Sequence, residues 1–380
     1  MAERLPLQGR RVAEVLATST GGVGTHVRAV LPALGAAGAA VRVCGPAATE
    51  ALFAFTAAGA GFAPVEISAG LSPVADACAV AALRRATADA DLVHAHGLRA
   101  GLVAAAARRQ GAGRDRPLVL TLHNALPERR GALRRVLGRL LGLAERATVR
   151  SADVVLAASA DLAENAWRQG ARDVRVAPVS APPLPAPVRP AAEVRAELGL
   201  ADGRPLVVAV GRLHPQKGYD VLLDAAARWA GSTRPPLVAV AGDGPLHDRL
   251  AARIAAERLP VVLLGRRGDV ADLLAAADLA VLPSRWEARS LTAQEALRAG
   301  TPLVATRTGG LPELLGDAAE LVPVGDAAAL ADAVTGLLAD PARAEALAAA
   351  GTAQAATWPD EAATARQLVA LYRELLGAPR

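Results

Sequence analysis

The stretch "LVVAVGRLHPQKG", residues 206 to 218, decides how the rest of the chain is read. Leu206 to Val210 is a short run of small and branched apolar residues, the pattern of a strand buried on both faces, and the glycine and proline that follow end it. Two cations emerge at its carboxyl end, Arg212 and Lys217. Lys217 is the only lysine among the 42 Lys and Arg residues, so arginine stands at every other basic position. A planar guanidinium grips an anion with two parallel donors, whereas an ammonium delivers a compact point charge on a flexible stem. Together, at the edge where a doubly wound parallel sheet binds its ligands, they point to a phosphate.

Outward from this loop the chain alternates short Val/Leu/Ala runs with longer Ala/Leu/Arg-rich helical stretches. Strands are expected at Val12 to Ala17, Val41 to Cys44, Leu92 to His96, Leu118 to Leu122 and Val154 to Ala158, with a helix over Thr25 to Leu34. A second series comprises Leu206 to Val210, Leu237 to Ala241, Val261 to Leu264, Leu279 to Leu282 and Leu303 to Ala305. This rhythm predicts α/β architecture with parallel sheets. Between the series lies "APVSAPPLPAPVRP", 177 to 190, whose prolines remove backbone donors and restrict φ, so no helix or sheet continues through it. The expected organisation is a first domain over 1–180, a Pro-rich linker over 181–190, a second domain over 191–358 and a last helix over 359–380 that crosses back to the first domain. Two Rossmann-like, doubly wound halves then face each other across a cleft.

Composition agrees with a two-domain enzyme. The 380 residues are 52% apolar and only 2% aromatic, so the core is built from small aliphatic side chains. A net charge of +5 accompanies seven arginines concentrated in 129 to 150. With so few aromatic rings to stack bases, nucleic-acid binding is set aside. Cys44 and Cys78 lie in apolar stretches without metal-ligand spacing, as reduced thiols do. No run of 18 or more residues is free of charges and breakers, and the start has no uninterrupted apolar core of a leader. A cytoplasmic protein is expected.

Several other features bear on chemistry. "EARSLTAQE", 287 to 295, places Glu287 just before a helix start and Glu295 within the helix; amides at such a start attract phosphate, and the carboxylates accept hydroxyl hydrogens. Gly21, Gly22 and Gly24 follow the first strand, where glycines let backbone approach phosphate, but the G-x-G-x-x-G spacing is absent and no acidic residue closes the strand "VRVCG", against a nicotinamide site. "HAH" puts His94 and His96 on one face of a strand without a third ligand in view, so no metal is expected. "DAD", 89 to 91, precedes its strand and falls at the wrong edge for a ligand. In 129 to 150, Leu133, Val136, Leu137, Leu140 and Leu141 recur at helical spacing while Arg135, Arg139, Arg146 and Arg150 tend to another face. Such a helix either rests on anionic lipid at the inner face of the membrane or packs on its own sheet with its basic face in water.

"TSTGGVGTHV", "GRLHPQKG", "AGDGPL" and "WEARSLTAQEALRAGTPLVATRTGGLPEL", in this order, resemble the GT-B glycosyltransferases of family 4, retaining enzymes that use nucleotide-diphosphate sugars. The resemblance implies that Arg212 and Lys217 hold the donor diphosphate and stabilise it as a leaving group. It places Glu287 against the donor sugar, Glu295 on the ribose hydroxyls, Ser290, Leu291 and Thr292 in the backbone turn over the phosphates, and Arg266 near the base. Gly21 and Gly22 match the glycine loop that approaches the diphosphate, and His96 a histidine close to the transferred sugar. Many members have Glu-Gly-Phe-Gly where this chain has Glu287-Ala288-Arg289-Ser290, and the Asn-Gly-Val-Asp segment common before the linker is absent. The function implied is transfer of a sugar from a UDP- or GDP-sugar to a hydroxyl acceptor, without a metal or other cofactor. Its rivals are a nucleotide-sugar epimerase on the same fold and a catalytically silent scaffold that binds nucleotide sugars.

Overall fold

The computed structural model describes residues 5–19, 21–70, 72–108, 115–124, 132–200, 203–232 and 234–377, the side chains of 132–141 excepted. The chain forms two compact units, residues 1–180 with 359–380, and residues 181–358.

Among the described residues the first unit contains β1 (Arg11–Leu16), β2 (Ala40–Gly45), β3 (Gly61–Pro64), β4 (Leu92–His96), β5 (Leu118–Leu122), β6 (Val154–Ala157) and β7 (Val174–Val176). They form one sheet in the order β3-β2-β1-β4-β5-β6-β7, with every pairing parallel. The second unit contains β8 (Leu206–Val210), β9 (Leu237–Ala241), β10 (Val261–Gly265), β11 (Leu279–Leu282), β12 (Leu303–Thr306) and β13 (Glu320–Val322). Their order is β10-β9-β8-β11-β12-β13, again all parallel. Both sheets are doubly wound: successive strands run outward one way from β1 or β8, then the chain returns to the other side at β4 or β11.

Alternation along the strands sorts side chains onto two helix-covered faces. In the second unit, Val207 and Ala209 enter one apolar cluster and Leu206 and Val208 the other, so both faces are dry. In the first unit, Val12 and Leu16 of β1 pack with Leu92 of β4 and Val119 of β5, under Val27 and Leu31 of the helix Gly22–Ala36 and Leu368 and Leu371 of the helix Glu361–Gly377. That last helix is part of the first unit. At about 25 cal/mol per Å² of apolar surface buried, such small side chains stabilise through number rather than size.

The central strands lie where periodicity places them. The three the sequence does not signal, β3, β7 and β13, all sit at sheet edges. Each has three or four residues, too few to show a run, and edge strands need apolar side chains on less of their surface. Asp89 and Asp91 lie at the amino edge of their sheet, where Asp89 pairs with Arg42 at 2.8 Å and Asp91 accepts from the Arg11 amide at 2.7 Å. Both carboxylates serve the fold.

Candidate functional site

In the second unit the winding reverses between β8 and β11, so the loops after these two strands part and leave the crevice in which such sheets hold ligands. Lys217 is carried by the first loop and Glu287 by the second. Several contacts stitch the loops together. Gln216 Nε2 donates to Trp286 O at 2.9 Å and Gln216 O accepts from the Arg285 amide at 2.7 Å. Gly218, at φ +67°, passes so close to Pro283 that a Cβ would stand 2.0 Å from its carbonyl oxygen. The result is an ion pair, Lys217 Nζ to Glu287 Oε1 at 2.6 Å, with Ser284 Oγ donating to the same oxygen at 2.7 Å. Side-chain exposures of 19% and 9% make this a sheltered pair, not a solvated one. The lysine stem runs along Gly211, with Cε 3.3 Å from where a Cβ on that glycine would lie.

Glu287 is held from behind as well. Its carbonyl accepts from the Gly310 amide at 2.9 Å, and Gly309 lies against it at φ +52°. Past Ser290 runs the helix Leu291–Arg298, capped by Ser290 Oγ accepting from the Ala293 amide at 3.3 Å. The amides of Leu291 and Thr292 come before the first intrahelical bond, Gln294 to Ser290, and carry the positive end of the helix dipole. One turn on, Glu295 is partly buried; burial raises its carboxyl pKa, with the charges of Arg298 and Lys217 acting the other way. Arg212 is exposed at the end of β8. Arg266 is exposed just after β10, two strands from β8, and it is Arg267 that engages Asp269 and Glu197.

The departure at 287 to 290 keeps this frame. Ala288 is buried, and Ser290 adopts φ −60°, so neither side chain imposes strain. Arg289 and Arg298 lie over the Trp358 ring at 5.8 and 5.9 Å, and the Arg289 Nε is buried without a hydrogen-bond partner. Burial lowers the Arg289 pKa. Sequence inspection does not single out Ser284, Gln216 and Gly309: Ser284 bonds Glu287 within its own loop, Gln216 reaches across to the second loop, and Gly309, after β12, packs against the Glu287 carbonyl.

In the first unit, Gly21 and Gly22 are exposed at the start of the helix Gly22–Ala36, and a Cβ on Gly21 would meet nothing. Gly24 is the one that packing requires, since a Cβ there would fall 2.1 Å from the Phe53 ring. His96 is buried, its side chain without exposed surface, and both ring nitrogens are engaged: Nε2 with Glu14 Oε2 at 2.7 Å, Nδ1 with His123 Nε2 at 3.2 Å. His123, its partner, is half-buried just beyond the carboxyl end of β5. His94 joins the same group through Tyr372 Oη and Thr121 Oγ1, both at 2.6 Å, and Tyr372 donates to Glu14 Oε1 at 2.8 Å. Burial, with the charge of His96 second, lowers His26 to about 3 and His123 well below its usual value. His94 is also well below, for the same leading cause.

Glu14 is the third group that "HAH" lacks on paper. With His94 and His96 it brings three potential ligand atoms within 4.8 Å. In place, His96 Nε2 stands 2.7 Å from Glu14 Oε2, while His94 Nδ1 is 3.3 Å from the same oxygen and 2.6 Å from Tyr372 Oη. Ligands around a tetrahedral zinc at about 2.0–2.1 Å stand about 3.3 Å apart, so the His96–Glu14 pair is closer than a shared ion sets it. Of the basic segment 129 to 150, residues 129–131 lie outside the described residues, as do the side chains of Arg135 and Arg139; Ala132–Ser151 is one helix. Among the described residues no helix is long and apolar enough to cross a membrane.

The sequence matches the family described as glycosyl transferases group 1 over residues 191–354 and the glycosyl transferase 4-like domain over 21–182. A 2-deoxystreptamine N-acetyl-D-glucosaminyltransferase of Streptomyces fradiae is 36% identical over 293 residues, 70% of this chain and 67% of that protein. A D-inositol 3-phosphate glycosyltransferase of Xylanimonas cellulosilytica is 31% identical over 72% of this chain and 70% of its own. The alpha-D-kanosaminyltransferase of Streptomyces kanamyceticus is matched over about half its length, 49%. Among solved structures, sucrose-phosphate synthase from Thermosynechococcus elongatus has the same fold, with a TM-score of 0.78 at 23% identity over 97% of this chain and 100% of that one. HepE of Anabaena, solved with UDP-glucose, gives a TM-score of 0.78 at 23% identity over 96% and 99%. With both halves matched in order and the fold shared almost end to end, the chain belongs to the GT-B glycosyltransferases of family 4 type.

Proposed function

We propose that the chain is a retaining glycosyltransferase that moves a sugar from a UDP-sugar, with a GDP-sugar as the alternative donor, to a hydroxyl acceptor. The observation that carries this reading is the sheltered Lys217–Glu287–Ser284 constellation at the β8/β11 switch point, beside the amides that open the helix Leu291–Arg298. Departure of a nucleoside diphosphate builds charge on its β-phosphate. Lys217, released from Glu287 toward the phosphate, and Arg212 neutralise that charge more in the transition state than in the ground state. Two protein cations supply what a divalent metal supplies elsewhere, so no metal is invoked. Glu287 then accepts from the donor sugar's hydroxyls and Glu295 from the ribose. Preference for UDP is supported by the UDP and UDP-glucose complexes of HepE.

In the first unit we assign the ligand-facing imidazole to His123, because His96 has no exposed side-chain surface. The same proposal includes peripheral contact of 129–150 with anionic membranes on the cytoplasmic side, which salt-sensitive co-sedimentation with anionic vesicles tests. For the donor, the test is a thermal-shift screen with UDP, GDP, ADP and their sugars, since a ligand that binds only the folded state raises the melting midpoint. UDP and a UDP-sugar should shift it most. No shift with any nucleotide would overturn the reading, and donor turnover without acceptor would favour epimerisation.

A further inference from the structure

We propose that Glu14 and His96 are positioning residues: a buried carboxylate–imidazolium pair that fixes the tautomer of His123, so that His123 presents Nδ1–H at the carboxyl edge of the first sheet. The inference rests on the proposed function only for its catalytic consequence.

The geometry follows from strand register. Glu14 pairs with His94 across β1 and β4, and His96 with Thr121 across β4 and β5. Alternation puts Glu14, His94, His96 and Thr121 on one face, the face that packs under the helix bearing Tyr372. A polar group thus sits inside a dry cluster, where each unpaired atom would cost about 1–3 kcal/mol. Hydrogen-bond donors and acceptors can be assigned throughout. The carboxylate of Glu14 only accepts, so His96 Nε2 carries a proton toward Oε2 and Tyr372 Oη donates to Oε1. Tyr372, its proton spent, accepts from His94 Nδ1–H, and His94 Nε2 accepts from Thr121.

One choice remains, between His96 Nδ1 and His123 Nε2, 3.2 Å apart: one of them bears the proton. Charge decides it. Glu14 is fully buried, and among the described residues the groups within salt-bridge reach of it are His94 and His96 alone. A buried carboxylate without a cation is far costlier than a paired one. Burial holds the His94 pKa well below its usual value, so His94 is the neutral ring between Tyr372 and Thr121, which leaves His96 as the cation. An imidazolium donates from both nitrogens, so His96 Nδ1–H points at His123 Nε2, and the proton of His123 is driven to Nδ1. A ring hydrogen-bonded to a neighbouring cation is a polarised donor, suited to a hydroxyl or phosphate oxygen.

The test reads ring nitrogens directly, by 15N histidine NMR on the full chain at pH 7, with His123 assigned from the signals lost in His123→Gln. Wild type should show one ring protonated on both nitrogens, His96, and His123 in the Nδ1–H tautomer. In Glu14→Gln the imidazolium should disappear and His123 should turn to the Nε2–H tautomer. Tyr372→Phe keeps the Glu14–His96 pair and should leave both rings as in wild type while lowering the melting midpoint. With the donor found in the thermal screen, Glu14→Gln should lower kcat by roughly 10- to 100-fold, the range one charge-assisted hydrogen bond spans, with KM little changed. A neutral His96 or an Nε2–H His123 in wild type would overturn the proposal. So would a Tyr372→Phe protein whose His123 changes as in Glu14→Gln, which would mean general loosening, or zinc raising the midpoint only when Glu14 is present, which would make these atoms ligands. The NMR needs no donor: a wrong ring state counts against the relay alone, and correct rings without sugar transfer count against the proposed function alone.

Discussion

Gly309→Ala is the sharpest test of how the second unit holds Glu287. A Cβ at this position would stand 2.0 Å from the Glu287 carbonyl oxygen and 2.9 Å from Trp286 Nε1, where contacts under 3.0 Å are essentially never seen. The oxygen must therefore retreat by at least about 1 Å, the difference of those distances, giving up its bond from the Gly310 amide. At φ +52° the alanine also takes a left-handed conformation that costs roughly 1–2 kcal/mol. In a unit of this size that lowers the melting midpoint by roughly 2–8 °C. The larger effect falls on turnover. Glu287 is joined to Lys217 at 2.6 Å, and a misplacement of about 1 Å in such a constellation costs on the order of 100-fold in rate. Calorimetric melts and steady-state kinetics on purified Gly309→Ala measure both. Gly268→Ala, at an exposed glycine whose Cβ would meet nothing, is the control and should change neither. A Gly309→Ala enzyme with kcat within about 3-fold of wild type would refute the idea that this close approach positions the carboxylate.

Lys217→Arg should lower kcat about 10-fold despite its preserved charge, because the wide guanidinium must replace a point contact beside Gly211, and Lys217→Ala should lose more by leaving Glu287 with Ser284 alone; near-normal kcat in the arginine variant would make the single lysine an accident. Glu295→Gln should raise the melting midpoint above pH 7 while weakening nucleotide affinity, measured by titration calorimetry, by about 10-fold or more. The sign follows from the raised pKa: this carboxyl favours the folded state while protonated, and that contribution disappears as pH climbs past the folded pKa. Acid should unfold the first unit steeply. His26, His94 and His123 are held neutral when folded but take up protons in the unfolded chain below about pH 6.5, so stability present above that pH is lost as it falls. Three such groups set a limit of about 4 kcal/mol per pH unit, and denaturant titrations at pH 7 and 5.5 that agreed would exclude it.

The candidate site of the second unit was largely legible because it sits where strands end. Arg212, Lys217 and Glu287 each follow a run of small apolar residues by a few positions, and a parallel sheet admits ligands only at its carboxyl edge. What pattern cannot show is how far one loop leans on another. Gly218 and Gly309 look like ordinary turn glycines; their meaning comes from Pro283 and Glu287, which are distant in sequence.

The first unit shows the opposite case. Glu14 interrupts the apolar run of β1, a position at which local pattern suggests only a weak strand, and His94 and His96 suggest at most an incomplete metal site. Parallel pairing joins residues about 80 apart, and the helix Glu361–Gly377 adds Tyr372 from 358 positions beyond Glu14. Each polar side chain alone would penalise the core; together they satisfy one another and select a single packing of the last helix, since sliding it by one turn would strand the Tyr372 hydroxyl and the Glu14 carboxylate together. This explains why a helix whose apolar face is only Leu368, Leu371 and neighbours docks in one register, and why that register and the state of His123 are set by the same carboxylate.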